Sequence, residues 1–65
     1  MERVLELEIW QDGVCVAGVY ASEQAALQEA RHYAAIYGQD GPVEVFRYVP
    51  RTGKREPFNL QPNTQ

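Results

Sequence analysis

The stretch "VLELEIWQDGVCVAGVY", residues 4–20, decides the fold. Leu5, Leu7 and Ile9 alternate with Glu6, Glu8 and Trp10, the period of two that half-buries a strand. Asp12-Gly13 follows, a pair that accepts the positive φ values of a two-residue type I′ turn. Residues 14–20 return as a second strand rich in β-branched side chains. A two-residue loop sets Gln11 against Val14, Ile9 against Val16, Leu7 against Gly18 and Leu5 against Tyr20. Opposed residues share a face. This register turns Leu5, Leu7, Ile9, Val16 and Tyr20 to the core, with Gly18 among them to let a helix approach. Trp10, Cys15, Ala17 and Val19 fall on the outer face with Glu6 and Glu8.

Downstream, Ser22 is placed to cap a helix through "EQAALQEARHYAAIY", residues 23–37, with Gly38 as the residue that ends it. At about 100° per residue, Ala26, Leu27, Ala30, Tyr33, Ala34 and Tyr37 form one stripe, the arc expected against a sheet. His32 falls on the opposite, solvent side, away from both tyrosines. "QDGP" at 39–42 makes a turn, and residues 43–49 form a third strand. The side chains of that strand are apolar on both faces, with Phe46 and Tyr48 on one and Val43, Val45, Arg47 and Val49 on the other. The larger pair is expected inward, which leaves Val45 and Arg47 outside beside Glu6 and Glu8. A turn at Thr52-Gly53 leads to a short fourth strand over 54–58, confined to a sheet edge by Pro57.

The order is ββαβ(β). A right-handed crossover after the helix brings strand three beside strand one, antiparallel to it. The expected fold is a two-layer α+β domain: an antiparallel sheet of order 2-1-3 or 2-1-3-4 with one helix packed on one face. Residues 1–58 make the single domain and 59–65 a disordered C-terminal tail. A chain of 65 residues buries only about 60% of its unfolded surface, so its core is marginal. One cysteine forbids an intrachain disulfide, and one cysteine with one histidine is too few for a metal staple. Self-association is the staple that remains.

Charge is divided along the chain. Residues 1–46 hold two arginines against eight acids, giving −6, and residues 47–65 hold four basic residues against Glu56, giving +3. The early charged residues leave no apolar run for a signal peptide or a membrane span, so a small cytoplasmic protein of bacterial or phage type is expected. No catalytic, cofactor-binding or metal-binding set emerges. Cys15 and His32 are placed on opposite sides of the fold, out of reach of each other. Glu6 and Glu8 are two residues apart on a solvated strand face. "DGVCVAG" lacks the spacing and the lysine of a phosphate loop. No small-molecule substrate is indicated.

What remains is surface. The expected outer face, with Trp10, Cys15, Ala17, Val19, Val45 and Arg47, is too apolar to be ordinary solvated sheet. The function expected is a non-catalytic interaction module, one that forms a homodimer or caps a protein partner through this face. The alternative is single-stranded nucleic-acid binding, with sheet aromatics stacking bases and Arg47, Arg51, Lys54 and Arg55 meeting phosphates.

Overall fold

A computed structural model describes residues 3–60. Strands β1 (Val4–Gln11) and β2 (Val14–Ser22) form the hairpin, α1 (Glu23–Gly38) follows, and β3 (Glu44–Val49) and β4 (Lys54–Pro57) complete the chain. The sheet has order β2-β1-β3-β4, antiparallel throughout, with α1 packed on β1 and β2. This is the expected α+β architecture. The hairpin turn is also as expected, with Asp12 at φ 55° and Gly13 at φ 78°.

The register departs from expectation within three residues of the turn. Gln11 faces Val14 and Trp10 faces Cys15, but Ile9 then faces Ala17, so Val16 is an extra residue in a β-bulge. Beyond the bulge Leu7 pairs with Val19 and Leu5 with Ala21. A one-residue slip exchanges the faces of everything after it. Val19 is therefore core, 3% exposed, while Tyr20 stands 74% exposed on the outer face. Ala17 is also turned inward and packs against the core. Gly18 lies outside, and a Cβ added to it would meet nothing within 4 Å, so it is not where the helix approaches. The exchange has a physical motive. The regular ladder would oppose Leu7 with bare glycine, whereas the bulged one opposes it with valine. The Val16 carbonyl, displaced by the bulge, accepts the Tyr37 hydroxyl at 3.3 Å.

The second departure is in β3. Ile9 pairs with Val45 and Leu7 with Arg47, so β3 turns its odd residues to the helix side. Val43 and Val45 pack against the core, and Phe46 and Tyr48 point outward, the reverse of the expected facing. α1 packs on β1 and β2 rather than on β3. The C-terminal segment walls the space beside it: Phe58 donates its N–H to the Val45 carbonyl at 2.8 Å, Phe58 and Leu60 pack on the core, and an open groove of about 550 Å³ remains between them, α1 and β3. The Arg31 side chain holds the Leu60 carbonyl at 3.4 Å. The packed chain thus continues through residue 60, past the boundary expected at 58, and the rest of the expected tail, 61–65, lies outside the described residues.

The core itself is small: Leu5, Leu7, Ile9, Val19, Ala26 and Ala30. The two alanines sit on the stripe expected to face the sheet, and their size lets α1 lie close to β1 and β2. Ser22 occupies the N-cap position without a side-chain bond, and the Glu23 N–H donates instead to the Arg3 carbonyl at 2.9 Å. Gly38 is the last helical residue rather than the one after it. At that end the Gln11 amide nitrogen donates to the carbonyls of Tyr37 (2.8 Å) and Gly41 (3.2 Å), joining β1 to the end of the helix.

Candidate functional site: the uncovered sheet face

No element covers the face of the sheet opposite α1 among the described residues. Alternation and register place there Glu6, Glu8 and Trp10 of β1, Cys15, Gly18 and Tyr20 of β2, Glu44, Phe46 and Tyr48 of β3, and Arg55 and Pro57 of β4. Trp10, Phe46 and Tyr48 are half-buried, and Trp10 meets Phe46 edge to face at a centroid separation of 6.1 Å. Tyr20 is left alone and open at the β2 edge.

A charged clasp crosses these rings. Arg55 reaches back over β3 to Glu8 as a fork, with Nε to Oε1 at 2.6 Å and Nη2 to Oε2 at 3.4 Å. Its guanidinium lies 5.2 Å from the Tyr48 ring centre and 6.0 Å from that of Trp10. The Trp10 indole N–H donates to the same Glu8 carboxylate at 3.0 Å. One carboxylate therefore ties β1 to β4 and fixes two of the rings.

The Arg55 hydrogen bond holds the Glu8 carboxyl below the ordinary glutamate value. Partial burial works the other way, and the Trp10 N–H and the guanidinium charge add to the lowering. The same bond raises the pKa of Arg55. A carboxylate with a lowered folded-state pKa stabilises the fold at pH above its unfolded value, and that contribution is lost as pH falls through the folded value. The Glu8 side-chain carbon shift is accordingly expected to titrate below about 4.5 in NMR, and Arg55→Met to bring the midpoint back up. An unmoved midpoint in Arg55→Met would show that the clasp does not set it.

Of the residues expected at an interface, only Trp10 and Cys15 lie on this face. Ala17, Val19 and Val45 belong to the helix side, and Arg47 is on that side too, exposed and opposite Glu56. In their place the face carries Tyr20, Phe46, Tyr48 and Arg55. Pairing parity places them there, and no composition signal could have found it. The four basic residues proposed for nucleic acid are likewise divided. Arg55 is outward, Arg47 and Lys54 alternate to the other side, and Arg51 is in the β3–β4 turn.

Cys15 is exposed on the outer face, and His32 is exposed on α1 beyond the other face. The His32 ring lies 5.9 Å from the neighbouring Tyr33 ring, centroid to centroid. Among the described residues no group of three His, Cys, Asp or Glu side chains is placed to hold a metal ion. No helix among them is long and apolar enough to cross a membrane. No family model, curated protein or solved structure matches the chain.

Proposed function

We propose that this chain is a non-catalytic protein-interaction module that docks a basic, partly apolar protein segment on its uncovered sheet face. The observation that carries this is the composition and state of that face. Tyr and Trp rings with an arginine among them are the residues that dominate interface energetics. The Glu8–Arg55 clasp holds two of the rings, Trp10 and Tyr48, in place before any partner arrives, which lowers the ordering cost of binding.

Charge selects the partner. Glu6, Glu8 and Glu44 stand on the face against Arg55, a local balance of 1 − 3 = −2. Two such faces stacked on each other would oppose six carboxylates with two guanidiniums, so a face-to-face homodimer is disfavoured. Phosphate is repelled for the same reason, and the arginine nearest the rings is already occupied by Glu8. A segment with Lys or Arg alternating with apolar residues suits both the carboxylates and the rings, since cations also bind over aromatic faces.

Trp10 is the chain's single tryptophan and packs against Phe46 within the site, so its fluorescence reports occupancy directly. A short synthetic peptide of alternating Arg and Leu is expected to shift Trp10 emission with saturation, and a Glu-Leu peptide to leave it unchanged. Trp10→Ala should keep the helix content, because Trp10 is outside the core. Glu6→Gln with Glu44→Gln should weaken the peptide's effect on Trp10 by about tenfold. A response to oligothymidine and none to the basic peptide would reverse the assignment.

A further inference from the structure

We propose that the free edge of β2 pairs with β2 of a second copy, giving an isologous dimer with a continuous eight-stranded sheet and two adjacent helices. This goes beyond the docking face and does not depend on it. The sheet has two edges, and they are built differently. β4 has four residues, Lys54, Arg55, Glu56 and Pro57, so charge, proline and shortness all oppose the addition of another strand. β2 is nine residues long, "VCVAGVYAS", with no charged side chain and no proline. Its only blunting device is the bulge at Val16, next to the turn, which leaves Ala17–Ser22 as regular edge.

Exposed apolar side chains gather at the same edge. Val14 and Tyr20 on β2 are 59% and 74% exposed. In the helix layer above, the Tyr37 hydroxyl reaches β2, while Arg31 on the other flank reaches Leu60. Helical spacing puts Tyr33 and Ile36 on the β2 flank with Tyr37, and Ile36 is 46% exposed. Apolar surface of both layers therefore reaches one side of the molecule, with the exposed Glu29 of α1 on the same flank by the same spacing.

The geometry of a β2–β2 pair suits both layers. α1 packs on β1 and β2 about equally, so its axis lies about half a strand spacing inside the edge. With strands about 4.8 Å apart, pairing through β2 sets the two helices about two spacings, roughly 10 Å, from each other. That is the upper end of the 8–10 Å at which helices pack. The two β1 strands would stand about 14 Å apart, beyond the Debye length of about 8 Å at physiological salt, so their glutamates repel little. The occupant inferred is a second copy because β2 itself is long and uncharged, and because pairing through it brings Val14, Tyr20, Tyr33 and Ile36 of each copy to the seam at a helix spacing that packs. The pairing also supplies the additional burial that so small a core lacks.

Sedimentation equilibrium of the full chain, from micromolar to millimolar, tests this. The expected result is a dimer whose dissociation constant rises at least tenfold in the Tyr20→Lys, Ile36→Lys double variant with helix content retained, and stays unchanged in Trp10→Ala. A monomer throughout the range would overturn the proposal. So would a dimer weakened by Trp10→Ala and indifferent to the double variant, since that describes face-to-face stacking. Should the double variant fail to fold, amide exchange in the wild type decides. The amides of Ala17–Ser22 that point away from β1 must slow with concentration while those of β4 do not, and exchange independent of concentration refutes edge pairing.

Discussion

Val19→Asp is expected to unfold the domain, while Tyr20→Asp, one residue further, leaves it folded. Val19 is 3% exposed and packs with Leu7, Ala26 and Ala30 in the core. Nothing there can pair a carboxylate, and aspartate is too short to lift its charge to the surface. Stranding an unpaired charge costs about 3–5 kcal/mol. A chain of 65 residues has a total stability of roughly 3–10 kcal/mol. At Tyr20 the same carboxylate stands in solvent. Circular dichroism with urea titration of both variants reads the result. The opposite outcome, with Val19→Asp folded and Tyr20→Asp unfolded, is what the regular hairpin register requires and would mean that Val16 is not a bulge.

Ile9→Ala is the second large effect. Ile9 and Leu7 are the two largest fully buried side chains, and Ile9 lies between Ala17 on one neighbouring strand and Val45 on the other. Truncating it removes about 2–5 kcal/mol, the lost transfer energy plus the cavity left behind. So small a core has little with which to refill such a hole. The expected result is loss of the cooperative thermal transition, or a midpoint lowered by tens of degrees. Ile36→Ala, at a position of α1 exposed in the single chain, should change stability by no more than about 0.5 kcal/mol when measured on the dilute monomer. Equal effects at the two positions would contradict the placement of the core on β1.

Both variants test facing, and facing is where sequence and structure part. Strand and helix positions, the Asp12-Gly13 turn and the 2-1-3-4 order were legible because each depends on local signals. These are a period of two, a period near 3.6, a turn dipeptide, and a crossover of fixed hand. The helix stripe of Ala26, Ala30, Tyr33 and Tyr37 was legible for the same reason. The expectation that Cys15 and His32 lie apart also rested only on these elements, and the structure separates them by the whole thickness of the fold.

Which side of a strand meets the helix is a different kind of fact. In residues 14–20 and 43–49 both parities are apolar, so alternation carries no preference. The bulge at Val16 costs one irregular pairing and exchanges glycine for valine beneath the helix, a choice made by packing against α1. In β3 the decision rests on residues 58–60, far along the chain. Phe58 and Leu60 pack against the core beside Val43 and Val45, and Phe46 and Tyr48 turn out to the face that holds Trp10. The Glu8–Arg55 clasp spans 47 residues of sequence and exists only because β3 brings β4 alongside β1. The amino-acid sequence by itself thus determined which elements form and in what order they pair. Only the tertiary structure decided which side chains each face presents, because a period of two lets a single inserted residue, or a single distant ring, reverse a whole strand.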